Sequence, residues 1–360
     1  MKRSRGPRPG NGRRKKGARG RLSVVGTGYM MAGQVTFEAL ALIERAEKLL
    51  FLVTDPVSRA WLESLNPTAE SLFEVCREGR PRMEICREMV KRILEPVRAG
   101  LEVCAAFYGH PGVCTWPAHE AVRQARSEGY AARMLPGVSS ADCLFADLGI
   151  DPGERGCQMY EASDFLYRRR RFDSATPLIL WQVSAIGLTR SLAAPPAAAG
   201  LRLLAEALAE SYPPDHEAVL YEASLLPTGA PKVARVALGM LPQAAVGGST
   251  VLYLPPREEM EYDWDAVERA RQLDRKSAPA GRAALPAEAP GTPVPAAVVG
   301  LLRALALDPR KMEDFCADPG RVPEAAELPE DDRALLRSGD IDAIRARFGQ
   351  RQAGATDVGA

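Results

Sequence analysis

The stretch Tyr108-Gly109-His110-Pro111-Gly112-Val113 closes an alternating apolar segment in the middle of this 360-residue chain. Glycine and proline are favoured where a strand ends and the backbone must approach a ligand, because glycine has no Cβ and proline fixes φ and lacks a donor. A related turn, Pro136-Gly137-Val138-Ser139, follows further along the chain. Together the two loops predict a ligand-binding crevice.

Strands and helices alternate on both sides of these loops. An apolar strand at residues 22–25 runs into Gly26-Thr27-Gly28, residues 37–50 have helical apolar spacing, and residues 50–54 have a strand pattern. This β-α-β start, with further alternation, predicts a parallel sheet in a first lobe at residues 21–135. A second α/β lobe is predicted at residues 136–262.

A smaller helical module is predicted after the two lobes. Residues 263–296 combine a helix with a segment crowded with Pro and Ala, a composition typical of a semi-extended linker. Residues 297–347 contain four short helical patterns, the last with Asp340 as its N-cap. Residues 348–360 form a polar tail. The fold class is therefore α/β in two lobes, with an all-α C-terminal domain.

Composition restricts the classes of protein to which the chain can belong. The chain is 46% hydrophobic and 26% charged, it contains no apolar run long enough to span a membrane, and its N-terminus lacks the apolar region of a secretion signal. Seven scattered cysteines without a CxxC pair indicate a reducing cytosol rather than a disulfide framework or a zinc site. Three distant histidines give no metal cluster, so we predict a cytoplasmic protein without a metal.

The N-terminal segment, residues 1–20, is strongly basic. The first 21 residues hold ten Lys and Arg and no acid. Such a segment buries too little apolar surface to offset its ordering entropy, so we expect disorder. A solvated extension explains it more simply than transient nucleic-acid contact, and a nucleic-acid partner is not expected.

Gly26-x-Gly28 alone is a weak signal, because the third glycine of a dinucleotide fingerprint is missing and a tight strand-to-helix turn explains it equally well. Four loops in order are more specific, and they resemble those of the tetrapyrrole-methylase-like enzymes. That resemblance implies two α/β lobes, S-adenosylmethionine bound between them, and a homodimer. The four loops are Val25-Gly26-Thr27-Gly28, Tyr108-Gly109-His110-Pro111-Gly112, Pro136-Gly137-Val138-Ser139-Ser140 and Gly247-Gly248-Ser249-Thr250.

Further stretches resemble the borosin peptide α-N-methyltransferases, whose known type is the omphalotin precursor. The third module is similar to the clasp domain that these proteins place between the enzyme and its peptide substrate. The resemblance covers roughly residues 21–347 and implies methylation of backbone amides in a peptide fused to the enzyme's own C-terminus, across an interlocked homodimer. The stretches are Phe51-Leu52-Val53-Thr54-Asp55-Pro56, Leu144-Phe145-Ala146-Asp147-Leu148, Tyr160-Glu161-Ala162-Ser163-Asp164, Leu305-Ala306-Leu307-Asp308-Pro309-Arg310-Lys311 and Leu336-Arg337-Ser338-Gly339-Asp340.

The resemblance also implies site residues. Arg82 matches the family's active-site arginine, whose planar donor fork can hold an amide oxygen. Where the family carries tyrosines, this chain has Phe73, Cys76 and Cys86, which changes the candidate base from a phenol to a thiol. The residues implied to bind S-adenosylmethionine are Tyr108, His110, Val113, Ser139, Ala141, Gln182, Gly248, Ser249 and Thr250. Asp142, Asp147 and Asp164 are expected to cap helices or bind backbone rather than act as acids.

The substrate is less well defined by the sequence. Family members continue into an apolar core peptide, whereas this sequence ends in the short polar stretch 351–360. Three alternatives follow: the tail is itself a minimal core, the chain is truncated, or the peptide arrives on another chain. Other acceptors in the wider superfamily, such as RNA ribose or a tetrapyrrole carbon, and a cofactor- or peptide-binding protein that has lost turnover, remain alternatives.

Overall fold

The computed structural model describes residues 20–30, 33–53, 55–76, 79–190, 197–226, 229–277 and 294–348. The basic segment, most of the Pro/Ala linker and the C-terminal tail lie outside these ranges. The chain divides into two compact units, Met1–Arg257 and Glu258–Ala360. No helix in the described part is both long and apolar enough to cross a bilayer.

The first sheet of the larger unit is wholly parallel. Its strand order is β3-β2-β4-β1-β5, and the two faces of the sheet are covered by separate apolar clusters, one with Val24 and one with Val25. Burial on both faces explains the nearly continuous apolar strands. The strands are β1 (Arg21–Gly26), β2 (Lys48–Leu52), β3 (Glu70–Ser71), β4 (Glu102–Phe107) and β5 (Ala131–Met134).

Helices pack on both faces of this sheet. Residues of α3 and α4 contribute to the cluster around Val24, and residues of α1 and α2 to the cluster around Val25. The helices are α1 (Phe37–Arg45), α2 (Pro56–Leu65), α3 (Arg82–Arg98) and α4 (Trp116–Ser127), with a 3₁₀ helix at Leu72–Val75.

The predicted helix at residues 37–50 is too long, because α1 ends at Arg45 and β2 begins at Lys48. The Asn66 side-chain amide donates hydrogen bonds to the carbonyl oxygens of Ile43 (2.8 Å) and Ala46 (2.9 Å). These bonds satisfy carbonyls that lack an intrahelical partner at the C-terminus. A residue 20 positions away thus ends the helix, which local periodicity does not reveal.

The second sheet of the larger unit is mixed, in the order β6-β7-β10-β8-β9. β6 and β7 are parallel and the other neighbours antiparallel. The sequence did not predict β9, an edge strand whose first four residues are exposed and so carry little apolar pattern. The strands are β6 (Gln158–Glu161), β7 (Leu178–Trp181), β8 (Glu217–Glu222), β9 (Lys232–Ala237) and β10 (Val251–Leu254).

The remaining helices of this unit surround the second sheet and its junction with the first. They are α5 (Ser140–Leu148), α6 (Pro152–Arg155), α7 (Ala162–Tyr167) and α8 (Ala197–Leu208), with 3₁₀ helices at Val183–Ala185 and Leu238–Gln243.

The smaller unit is helical and has its own core, which includes Val298, Leu301, Phe315 and Phe348. The predicted cap is confirmed, since Asp340 Oδ1 accepts a hydrogen bond from the Ala343 N–H (3.0 Å). The short helix α12 and a 3₁₀ helix at Pro319–Arg321 were not predicted. The helices are α9 (Trp264–Ser277), α10 (Ala296–Leu307), α11 (Pro309–Ala317), α12 (Pro323–Ala326), α13 (Glu330–Ser338) and α14 (Ile341–Phe348).

Candidate methyl-transfer site

Three glycine-containing loops meet at the ends of β1, β4 and β5. A Cβ atom on Gly26 would lie 2.4 Å from the Gly109 carbonyl oxygen, and one on Gly137 would lie 2.8 Å from the same atom. The Gly109 N–H also donates to the Gly28 carbonyl (2.8 Å). Gly26 and Gly137 therefore allow the loops to pack against one another, whereas the sequence had suggested that such glycines allow backbone to approach a ligand.

Two adjoining cavities open at these loops. The first cavity, of about 170 Å³, lies between the loops of the first lobe and the start of the second sheet. The second cavity, of about 260 Å³, lies beside β2 and α2. Both are lined by Tyr29, Tyr108, Gly248 and Ser249, so these four residues form their common boundary.

Most of the site residues implied by the sequence line the first cavity. Ala141 and Thr250 are buried and do not line it. Phe73, Cys76 and Cys86 line neither cavity. The first cavity also contains residues that sequence reasoning missed, among them Tyr29, Cys114 and Trp181. The implied residues that line it are Arg82, Tyr108, His110, Val113, Ser139, Gln182, Gly248 and Ser249.

The His110 ring is fixed by its own loop. Its Nδ1 accepts a hydrogen bond from the Gly112 N–H (2.9 Å), which leaves the proton of the neutral ring on Nε2. His119, in the first turn of α4, contacts the Gly112 carbonyl through Nε2 (2.9 Å). The loop thus presents a histidine Nε2–H donor at the first cavity.

Ser139 is the N-cap of α5, where it forms a capping box with Asp142. Its hydroxyl donates to Asp142 Oδ2 (2.7 Å), and the Asp142 N–H donates back to it (3.3 Å). The predicted capping role of Asp142 is thereby confirmed. Asp147 and Asp164 bind side chains rather than backbone: Asp147 accepts from the Tyr221 hydroxyl (2.6 Å), and Asp164 accepts from two arginines.

The backbone is strained at the first cavity. Cys114 (φ 51°) and Gln182 (φ 57°) both have left-handed conformations, which cost non-glycine residues on the order of 1–3 kcal/mol and concentrate at functional sites. The Gln182 amide has no hydrogen-bond partner within the described residues, and neither does the buried Trp181 Nε1. These unused groups suit a ligand with several polar atoms.

Arg82 is held by both lobes. It is the first residue of α3, and its N–H donates to the carbonyl of Thr189 in the second lobe (2.9 Å). A second tie runs from Arg190 Nη1 to the Gly79 carbonyl (2.7 Å). The Arg82 guanidinium has no carboxylate partner in the part of the chain that the structure describes. Its charge is therefore available to the cavity.

The Cys86 thiol beside Arg82 is a poor acid in this environment. Burial raises the pKa of Cys86, the positive charge of Arg82 opposes that rise, and the neighbouring Cys76 adds to it. Cys76 also packs against the core of the first lobe, and Phe73 is 41% exposed. Burial likewise raises the pKa of the Tyr108 phenol, again opposed by Arg82. The charge of Arg82 thus lowers the pKa of one thiol and of one phenol against the effect of burial.

Glu222 fixes the loop that carries Gly248 and Ser249. Its Oε1 accepts hydrogen bonds from the Gly247 N–H (3.1 Å) and from the Thr250 hydroxyl. The same hydroxyl also accepts from the Gly247 N–H (2.7 Å). Thr250, predicted to contact the cofactor, therefore lies behind the loop and holds it. Glu222 gives no recognisable sequence signal, because its partners are 25 and 28 residues away.

Residues 21–237 match the family described as Tetrapyrrole (Corrin/Porphyrin) Methylases. This range contains the first sheet, the three glycine loops and most of the second sheet. The fold and the cleft between its lobes therefore define a methyltransferase of the tetrapyrrole methylase class. The predicted two-lobed fold with a helical C-terminal part is confirmed.

Proteins of similar sequence indicate the family within this class of methyltransferases. The dendrothelin A methyltransferase/cyclic peptide precursor of Dendrothele bispora is 36% identical, over 91% of this chain and 87% of the relative. The omphalotin A precursor of Omphalotus olearius is 34% identical over the same shares. A type I borosin precursor of Serendipita vermifera subsp. bescii is 38% identical over 70% of this chain and 62% of the relative. The chain belongs to this family of borosin methyltransferase/cyclic peptide precursors.

Proposed function

We propose that the protein transfers a methyl group from S-adenosylmethionine to backbone amide nitrogens of a peptide. The observation that carries the proposal is the Arg82 guanidinium, which lines the first cavity without a carboxylate partner among the described residues. An amide nitrogen is a poor nucleophile, because its lone pair is delocalised into the carbonyl. A cation at the amide oxygen stabilises the imidate-like form in which nitrogen is nucleophilic.

The residues of the first cavity fit the cofactor. S-adenosylmethionine supplies an electrophilic methyl group on a sulfonium, together with carboxylate, hydroxyl and purine acceptors. The unpaired Trp181 Nε1, the Gln182 amide and the His110 Nε2–H offer donors for such acceptors. An added Cβ on Gly248 would meet no atom within 4 Å, so this boundary residue leaves open space. We assign the cofactor to this cavity through Tyr108, His110, Val113, Ser139, Gln182, Gly248 and Ser249.

The transfer forms a nitrogen–carbon bond as the carbon–sulfur bond breaks, and the amide proton must leave. We assign Arg82 to the amide oxygen, with Cys86 as the base and Cys76 and Phe73 as its surroundings. Since burial raises the pKa of Cys86, its thiolate is scarce at neutral pH. Slow turnover with a strong dependence on alkalinity follows from this assignment.

The family's fused architecture supports a peptide substrate. The printed names of the relatives describe methyltransferases that are also ribosomally synthesized cyclic peptide precursors. By this relationship, we propose that the helical module at residues 297–347 presents a C-terminal peptide, either the tail at 348–360 or one supplied in trans. Action across a homodimer in the cytoplasm belongs to the same proposal.

The test incubates the full chain with S-adenosylmethionine, with and without added apolar peptides. Mass spectrometry then measures the mass of the digested C-terminal fragment and of the added peptides. Arg82→Lys keeps the charge but loses the planar fork. We expect its kcat to fall about 100- to 1,000-fold, as for the loss of one oxyanion donor. Cofactor affinity, measured by calorimetry, should change little.

Arg92→Lys is the matched control, because Arg92 lies on the same helix and pairs with Glu70 and Glu88 instead of lining either cavity. It should retain wild-type turnover. Equal turnover of Arg82→Lys and the wild type would remove Arg82 from the chemistry. Failure of the wild type to methylate its tail or any supplied peptide would remove the substrate class.

A further inference from the structure

We propose that the second cavity is a side-chain subsite, which receives an apolar side chain of the acceptor peptide beside the amide that is methylated. This inference rests on the peptide methylation proposed above. It assigns to the cavity a substrate preference and names Trp61 as the residue that sets it.

The walls of the second cavity are largely apolar. Val53, which directly follows β2, and Leu62 on α2 are buried, and Trp61 and Leu225 complete the apolar surface. The Tyr29 and Tyr108 rings meet edge to face, with centroids 5.9 Å apart, at the boundary with the first cavity. Burying an apolar side chain against such walls is favourable by about 25 cal/mol per Å² removed from water.

Two polar side chains in the lining, those of Asp55 and Thr27, already have partners. Asp55 Oδ1 accepts hydrogen bonds from the N–H groups of Val57 (3.1 Å) and Ser58 (2.7 Å) as the N-cap of α2. The Thr27 hydroxyl contacts the carbonyls of Gly28 and Phe107. These groups support the walls of the cavity, and the Asp55 charge disfavours an acidic ligand.

The position of the cavity suits the acceptor rather than the cofactor. Arg82, His110, Val113 and Gln182 line only the first cavity, while the second adjoins it across Tyr29, Tyr108, Gly248 and Ser249. Methyl transfer requires donor and acceptor to meet in contact. A peptide whose amide reaches Arg82 can place a neighbouring side chain beyond this boundary. At about 260 Å³ the space is large enough for one apolar side chain.

The experiment appends to Ala360 a set of otherwise identical peptides with Ala, Leu, Trp, Lys or Glu at one position beside the methylated amide. The ratios of the methylation rates of these peptides are measured for the wild type, Trp61→Ala and Trp61→Phe. We expect the wild type to favour Leu about tenfold over Ala, Lys and Glu, the discrimination that apolar pockets achieve. Trp61→Ala should shift the ratio of Trp to Leu about tenfold toward Trp, with Trp61→Phe between them.

Val57→Ala is the matched control, because Val57 lies on α2 with 54% of its surface exposed and does not line the cavity. It should leave the ratios unchanged. The ratio of the rates for the Trp and Leu peptides does not depend on how much of a variant is folded. A partly unstable Trp61→Ala variant therefore still reports the side-chain preference.

The outcomes separate the two proposals. Methylation by the wild type regardless of the varied residue, or unchanged ratios in both Trp61 variants, would overturn the subsite and leave peptide methylation standing. A preference for Lys would overturn its apolar character. A rise in KM for S-adenosylmethionine with unchanged peptide ratios would assign the cavity to the cofactor. If the wild type methylates none of the peptides, both proposals fail.

Discussion

Arg82 and Cys86 lie one helical turn apart at the start of α3, and the charge of one acts on the pKa of the other. Cys86, which the sequence analysis placed beside Arg82, lies in an environment that disfavours its ionised form. A thiol that serves as the base must lose its proton first, and burial makes this harder. Under the proposed assignment, the rate of methyl transfer therefore depends on the protonation of this one side chain.

This arrangement predicts an unusual pH profile. Because the pKa of Cys86 is raised, the thiolate fraction below that pKa grows about tenfold per pH unit, and kcat/KM should rise with it. Cys86→Ser should be slow at all pH values and lose this slope, because a serine hydroxyl does not ionise in that range. The profile would be measured from pH 6 to 10 by mass spectrometry of the peptide.

Cys157→Ser is the control, since Cys157 is another half-buried free cysteine whose pKa burial raises. Its pKa carries no contribution from Arg82, unlike that of Cys86, so it should keep the wild-type slope. A Cys86→Ser enzyme that retains the alkaline rise would show that a different group takes the proton.

At the scale of elements, what positions the site is a set of loops at strand ends. The Gly247–Ser249 loop before β10 is held from behind by Glu222 at the end of β8. Burial alone would raise the pKa of Glu222, but hydrogen bonds from Thr250 and Lys232 keep it below its ordinary value. Glu222 is therefore a charged residue that holds this loop.

Glu222→Ala should lower kcat/KM about 10- to 100-fold, because loops displaced by about 1 Å lose catalytic geometry. Glu222→Gln keeps the acceptor oxygen and should recover most of the activity. Kinetics with S-adenosylmethionine varied would separate KM from kcat. Glu217→Ala, on the same strand but in an exposed pair with Arg235, should behave as the wild type. Equal defects in the Ala and Gln variants would mean that the charge matters rather than the hydrogen bonds.

Part of the arrangement of helices and strands could be predicted from the sequence. Apolar periodicity located α3 and most of the strands, because each has one consistently buried face. It overextended α1, where Asn66 ends the helix, and it missed β9, which buries little. Several residues that line the first cavity were implied by the family resemblance, whereas Tyr29, Trp61 and Glu222 could not be predicted. Their roles depend on contacts between segments far apart in sequence.

At the scale of the whole molecule, the larger unit contains both cavities and the smaller unit has a separate core. Leu301 on α10 is fully buried in that core, whereas its neighbour Leu302 is 52% exposed. The smaller unit can therefore be weakened selectively. If it presents the peptide, its loss should affect fused substrates more than free ones.

Leu301→Ala should destabilise the smaller unit by about 2–5 kcal/mol, the usual cost of such a cavity. Methylation of a fused peptide should fall, while turnover of the same peptide supplied free at saturation should not. Leu302→Ala should change neither. Circular dichroism during heating and mass spectrometry of the two substrates would measure these effects. Equal loss of both activities would contradict a presenting role.

The ties between Gly79, Arg82 and the segment at Thr189–Arg190 cross the boundary between lobes, and the Gly79–Arg190 pair is separated by 111 positions in sequence. The placement of Arg82 thus depends on both lobes. Recombination that exchanged one lobe with that of a relative would retain the arginine in the gene but change its anchor. The two lobes are therefore expected to be inherited, and best engineered, as one block.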